Sequence, residues 1–171
     1  MAQKHDERLP VLVAALVQTM SEQLTDDGSR LCGLSAAAAA AVISIDKNPG
    51  VAIDALARTL RYSHSGTVRL VQRLVDQGLV LRAREAEDGR VAALTLTKRG
   101  ASVVTAIHRR RREWLSTLLS DIPPKQLDAL QAAISTVLTK LTVGRESADY
   151  ICRFCDESIC TPDRCPVELA V

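Results

Sequence analysis

Four cysteines near the end of the sequence stand at intervals that suit one ion. Cys152, Cys155, Cys160 and Cys165 form C-x2-C-x4-C-x4-C, while the rest of the 171-residue chain holds only Cys32. A C-x2-C pair lets two thiolates grip an ion from a tight turn, and two more complete a tetrahedral, all-cysteine zinc site. Bound metal would also order a short segment that carries few apolar residues. Four protein ligands leave zinc no open position, so a structural clasp is expected rather than a catalytic centre. The same thiolates could instead hold an iron–sulfur cluster, Cys165-Pro166 matching the Cys-Pro that ends many cluster motifs. Regulatory disulfides, with Cys32 as a partner, are the third reading. Zinc is the first expectation.

The second group of chemically telling residues is basic. Between Arg58 and Arg112 there are 13 Lys/Arg against 4 Asp/Glu, whereas the remainder holds 9 against 16; the net charge is +2. A basic middle between acidic ends is the footprint of a nucleic-acid-binding module. Within it, "SHSGTVRLVQRL" offers the hydroxyls of Ser63, Ser65 and Thr67, with Arg69 and Arg73 four residues apart. An arginine fork can bridge two acceptors on guanine or clamp a phosphate. Arg82, Arg84 and Arg90 flank an Asp88-Gly89 turn, where a thin ribbon could carry guanidinium groups into the minor groove. Asp88 is expected to position Arg90 or cap the turn. His64 adjoins this segment and has no metal partner in view.

These side chains need elements to hold them. Apolar spacing predicts a helix from Glu7 to about Leu24, broken by "TDDGSRLCG". That places Cys32 in a loop between helices. Ser35 caps an alanine-rich helix that ends at "KNPG"; a short helix follows with Ile53, Leu56, Ala57 and Leu60 on one face. The next helix, with Val68, Val71, Leu74 and Val75 inward, stops at Gly78. The period then changes to two in "LVLRAREA" and "VAALTLT", around the Asp-Gly turn signal. Helices resume from Lys98 to about Leu119 and, after "DIPP", along a Leu127, Leu130, Ile134, Val137, Leu138 and Leu141 stripe. "HRRRRE" (108–113) could contact phosphate, pair with acidic residues of a partner or simply be solvated, solvation being the first expectation, and Trp114 reads as an anchor in the core or at a dimer interface. The fold class is mainly α with a small β-hairpin wing. It is a winged helix-turn-helix between N- and C-terminal helices whose apolar stripes need a partner. Aromatics make up 2% of the chain, so its core is aliphatic.

"SHSGTVRLVQRL" followed by "LVDQGLVLRAREAEDGRVAALTLTKRG" resembles the MarR family of bacterial transcriptional regulators. Gly78-Leu79-Val80, Asp88-Gly89-Arg90 and Leu96-Thr97-Lys98-Arg99-Gly100 match its strand, wing-tip and helix-entry motifs. The likeness is close over Ser35 to Gly100 and extends in helical order to about Val143. It implies a homodimer built from the terminal helices, binding a short inverted repeat in double-stranded DNA, and a ligand or redox site for an effector. The expected division is 1–34 and 98–145 for dimerisation, 35–97 for DNA binding, and 146–171 as a cysteine-rich metal-binding tail. The cysteine intervals also equal those of the retroviral-type zinc knuckle, in spacing only. Three histidines beside no nucleophile and no glycine-rich phosphate loop argue against an enzyme, so no catalytic residue is expected. No signal pattern or membrane-length apolar run is present, so the expected setting is cytoplasmic, with no membrane partner. A repressor is the first functional expectation.

Overall fold

The computed structural model describes residues 7–84 and 92–171, and within them all side chains except those of 25–32, 84 and 92. In chain order the elements are α1 (Arg8–Cys32), α2 (Ala36–Lys47), α3 (Ile53–Leu60), α4 (His64–Asp76), β1 (Val80–Arg84), β2 (Ala92–Leu96), α5 (Lys98–Leu119), α6 (Pro124–Leu141) and α7 (Gly144–Cys152). Two short 3-10 turns follow, at Pro162–Arg164 and Glu168–Ala170. No helix among the described residues is long and apolar enough to cross a membrane.

The alanine-rich segment becomes the central helix. Residues 38–45 of α2 are all buried, since small side chains let neighbouring helices approach from every direction. Ser35 caps it as expected, its Oγ accepting from Ala38 N at 3.3 Å. Around α2 pack Leu56 and Leu60 of α3, Leu70, Val71 and Leu74 of α4, Leu94 of β2, and Val104 and Ile107 of α5. On α4 the expected inward set is shifted. Thr67 and Leu70 join Val71 and Leu74 in the interior, while Val68 and Val75 are only half-buried.

The hairpin pairs β1 with β2 antiparallel, from Val80 opposite Leu96 to Arg84 opposite Ala92. Its root is tied to the α2–α3 loop, where Gly50 N donates to Leu94 O at 2.8 Å and Leu94 N to Val51 O at 3.1 Å. The helix-entry motif has a steric reason. Thr97 Oγ1 donates to Gly78 O at 2.8 Å and accepts from Gly100 N at 2.9 Å, capping α5. A Cβ on Gly100 would lie 2.2 Å from Leu79 O, so only glycine lets α5 enter there.

Two boundaries differ from expectation. Helix α1 continues through Gly28 to Cys32 and stops at Gly33, whose φ of 63° is the left-handed stop. Cys32 therefore ends a helix rather than sitting in a loop. A glycine costs a helix interior only about 1 kcal/mol, which a long apolar helix can absorb. The cysteine-rich segment opens with a further helix, α7, that packs on α3. Its Ala148 joins Cys165 and Val167 in a second small core, flanked by Leu138, Ile151, Cys152 and Cys160. By contrast, α6 buries no side chain, and Leu9, Val11, Leu12, Leu16 and Val17 of α1 are exposed in the single chain.

Candidate functional site

The helix pair α3–α4 presents the residues that could meet nucleic acid. Ser63 caps α4, its Oγ accepting from Gly66 N at 3.1 Å, and stands exposed with Ser65, Arg69 and Arg73 on the side away from α2. Thr67 does not belong with them. It is fully buried, and its hydroxyl donates to Ser63 O at 3.0 Å, so it cannot reach a ligand. His64, also exposed, pairs with Asp54 across the turn at 2.6 Å, linking the two helices. On the wing, Arg82 is exposed and Arg84 ends β1 with its side chain beyond those described; Asp88 and Arg90 lie outside the described residues.

Behind this face the cysteines gather against α2 and α5. Cys155 N donates to Cys152 O at 2.8 Å, closing the C-x2-C turn. All four C-terminal cysteines are free thiols, Cys165 buried and the others half-buried. They stand as two pairs, Cys152 beside Cys155 and Cys160 beside Cys165, each thiol close enough to shift its partner's ionisation and the two pairs close enough to influence each other. Among the described residues no three His, Cys, Asp or Glu side chains are arranged as metal ligands, so these side chains do not themselves form the expected tetrahedral grouping. Within the first pair the thiolate belongs to Cys155. The adjacent Cys152 thiol brings its pKa down to about 7 against the cost of burial, and Lys47 and Arg111 favour the anion. Burial and its pairing push Cys160 up to about 11.

Cations surround the cluster. Lys47 is buried to 11% side-chain exposure, donates to Cys152 O at 2.6 Å and pairs with Glu157 at 3.1 Å. Arg112 pairs with Asp156 at 3.0 Å, and Arg111 stacks on Phe154 with its guanidinium 4.1 Å from the ring centre. The "HRRRRE" stretch is therefore not simply solvated: two of its arginines hold the C-terminal segment. Trp114 is half-buried. Between α2, α3 and α7 runs a polar groove of about 800 Å3, lined by Lys47, Arg145, Asp149, Arg153 and Glu157, with Ser44 at its wall. Ser44 Oγ is buried there without a hydrogen-bond partner among the described residues.

Residues 33–91 match the model of the MarR family, covering the helix-turn-helix and part of the wing. The HTH-type transcriptional regulator BilQ of Clostridium symbiosum (strain WAL-14163) is 31% identical over 65% of this chain and 73% of its own length. The chain belongs to the MarR family. An uncharacterized HTH-type regulator of Mycobacterium bovis is 33% identical over 49% of this chain and 59% of its own. In fold, the chain is similar to MepR, a transcription regulator of the Staphylococcus aureus multidrug efflux pump MepA. Its TM-score is 0.68 at 17% identity, over 78% of this chain and 98% of that one. Streptococcus pneumoniae FabT, solved in complex with DNA, gives 0.67 at 18% identity, over 77% and 96%. The family's relatives and fold are those of transcriptional regulators with a DNA-binding winged helix, not of enzymes.

Sequence reasoning missed Lys47 and Arg111 as neighbours of the cysteines, and the stacking of Arg61, Arg111 and Arg153 on the rings of Tyr150 and Phe154 beside them. One signal was available. The chain has only four aromatic residues, and two of them, Tyr150 and Phe154, interleave with Cys152 and Cys155.

Proposed function

We propose that this MarR-family chain is a homodimeric repressor that reads an inverted repeat in double-stranded DNA. In this reading α4 enters the major groove and the wing the minor groove, in the cytoplasm. The observation that carries it is the exposed face of α4, where Ser63, Ser65, Arg69 and Arg73 project away from the core. Arginines four apart on one helix face can reach neighbouring base edges or phosphates. That FabT was solved with DNA on the same fold supports the placement. The exposed apolar faces of α1 and α6 support the dimer, because a monomer seldom leaves such patches bare. Wing residues Arg84 and Arg90, with Asp88 positioning Arg90, complete the proposed contact set.

We propose further that Cys152, Cys155, Cys160 and Cys165 take up one zinc ion, which would draw the two thiol pairs together. A zinc ion bound by four thiolates supplies no reaction; it crosslinks α7 to the final turns. A small polar effector, if one acts, would find the orphaned Ser44 hydroxyl and charges of both signs in the groove beside α7.

The test is selection of duplexes from a random library by the purified protein, followed by titration at several salt concentrations. Enrichment of a palindrome is expected, with affinity falling steeply as salt rises. Arg69→Ala and Arg73→Ala should each weaken binding to the selected duplex by about 1–3 kcal/mol. A protein that retains no duplex at low salt would overturn the DNA-binding assignment of α4. Metal analysis with an absorption spectrum of anaerobically purified protein tests the cysteines. One colourless zinc per chain is expected, whereas a brown chromophore would replace zinc by an iron–sulfur cluster.

A further inference from the structure

The two helices of the helix-turn-helix are joined at their first turns by a pair of exposed side chains. Asp54 lies in the first turn of α3, and its Oδ1 reaches across to Nδ1 of His64, 2.6 Å away. His64 is the first residue of α4, directly after the Ser63 cap. The two side chains stay largely in solvent, His64 at 63% and Asp54 at 72% exposure, so the pair adds little to stability. It also leaves a carboxylate on the face proposed to meet phosphates, where like charges repel. What the pair does is fix a ring. A carboxylate accepts and does not donate, so Nδ1 carries the proton that is shared with Asp54. In the uncharged ring Nε2 is then a lone-pair acceptor. It sits on the ring edge away from the carboxylate and has no hydrogen-bond partner among the described residues. Phosphate oxygens are acceptors as well, so an acceptor turned toward DNA finds no partner on the backbone. On the major-groove edges of the bases the donors are the N4 amine of cytosine and the N6 amine of adenine.

We propose that His64 reads an exocyclic amine of cytosine or adenine in each half-site through Nε2, with Asp54 as the positioning residue that holds the ring and its tautomer. This rests on the DNA-binding reading of α4 given above. His64 then supplies what Arg69 and Arg73 lack. A guanidinium only donates, and so suits guanine edges and phosphates, whereas Nε2 only accepts. Without Asp54 the ring turns about its side-chain bonds and either nitrogen can carry the proton. The acceptor is then no longer presented in one place, and the choice of base at that position is lost.

The experiment titrates the full-length protein with the duplex it selects from a random library, at pH 8, above the ordinary titration range of imidazole. Each adenine of a half-site is replaced in turn by purine and each cytosine by pyrimidin-2-one, which deletes the exocyclic amine. The amine also pairs within the duplex, so parent and variants are titrated with the same modified duplexes. At one position per half-site, deleting the amine should weaken the parent protein by about tenfold. His64→Ala should be indifferent to that deletion. Asp54→Ala should lose most of the tenfold effect there and respond as the parent does at the other positions. Both side chains are exposed, so neither variant enters the core around α2, and each should keep the parent's helical signal. If the parent and H64A respond alike at every position, His64 reads no amine. If H64A or D54A weakens binding by the same factor whatever the base, the pair only ties α3 to α4 and selects nothing. A D54A protein with the full parental discrimination strikes Asp54 from the positioning role. A parent protein that retains no duplex at low salt fails at an earlier step, and removes the DNA-binding reading together with the role of His64.

Discussion

A single missing methyl group decides how α5 leaves the wing. Gly100 sits where a Cβ would meet the backbone oxygen of Leu79 at 2.2 Å, and a backbone atom cannot swing aside as a flexible side chain can. Gly100→Ala should therefore cost about 2–3 kcal/mol, read as a lowered midpoint in denaturant unfolding. The L-T-x-x-G motif was legible in the sequence, but its steric reason was not, because it depends on a contact twenty-one residues away (Leu79). Thr67 illustrates the opposite error. A hydroxyl near a helix start looks like a ligand contact, yet inside a helix it can bond the carbonyl four residues back and then tolerate burial. Ser63 O already accepts from Thr67 N at 2.9 Å, so losing the hydroxyl leaves that carbonyl paired. Thr67→Val should leave the affinity for a selected duplex unchanged and shift stability by no more than about 1 kcal/mol. A large loss of DNA binding in a folded T67V protein would return Thr67 to the contact set.

Among the elements, α2 to α6 were legible because apolar periodicity marked each of them, reinforced by a serine or threonine cap at α2, α4 and α5 and by the Gly78 stop after α4. Helix α7 was not. It is only nine residues long, its N-cap Val143 has no polar side chain to cap it, and the cysteine spacing directs attention away from helical period. What stabilises it is tertiary: Ala148 in the small core, the Arg145 pairing with Glu168 at 2.9 Å, and the hold of α5 on Phe154 and Asp156. The same reliance on tertiary contacts left the cysteines' neighbours unread, since α2 and α5 lie far off in sequence. The α5 side of this contact carries a pH signature in His108. Burial lowers its pKa below 6.5; Arg111 and Lys47 lower it further, while Asp156 and Asp46 oppose them. The unfolded chain then takes up a proton more readily than the folded one. Its contribution to stability is therefore full above 6.5, and it is lost as pH falls from there through the lower folded-state pKa. Denaturation midpoints should decline on acidification from neutral pH, and His108→Gln should flatten that part of the curve. An unchanged slope in H108Q would place the titrating group elsewhere.

For the whole molecule, the unanswered surfaces are the faces of α1 and α6. Leu16 is 52% exposed and Val137 56% exposed in the single chain, each within a stripe of exposed leucine, valine or isoleucine. Fully burying such a side chain is worth about 1.5–3 kcal/mol, so a stripe of them from each of two chains suffices to hold a dimer. A dimer also answers the problem of DNA affinity, because two recognition helices set one helical turn apart, about 34–36 Å, engage both halves of a palindrome together. Light scattering should therefore find particles of twice the 18.5 kDa chain mass. Leu16→Glu and Val137→Glu place a charge on these faces without entering the core around α2. Each variant should keep the parent's helical signal, shift toward single-chain mass, and lose affinity for the palindrome more steeply than for one half-site. If either variant stays at twice the chain mass with unchanged DNA affinity, that face is not the dimer interface. The α1–α6 pairing would then have to be replaced by another surface.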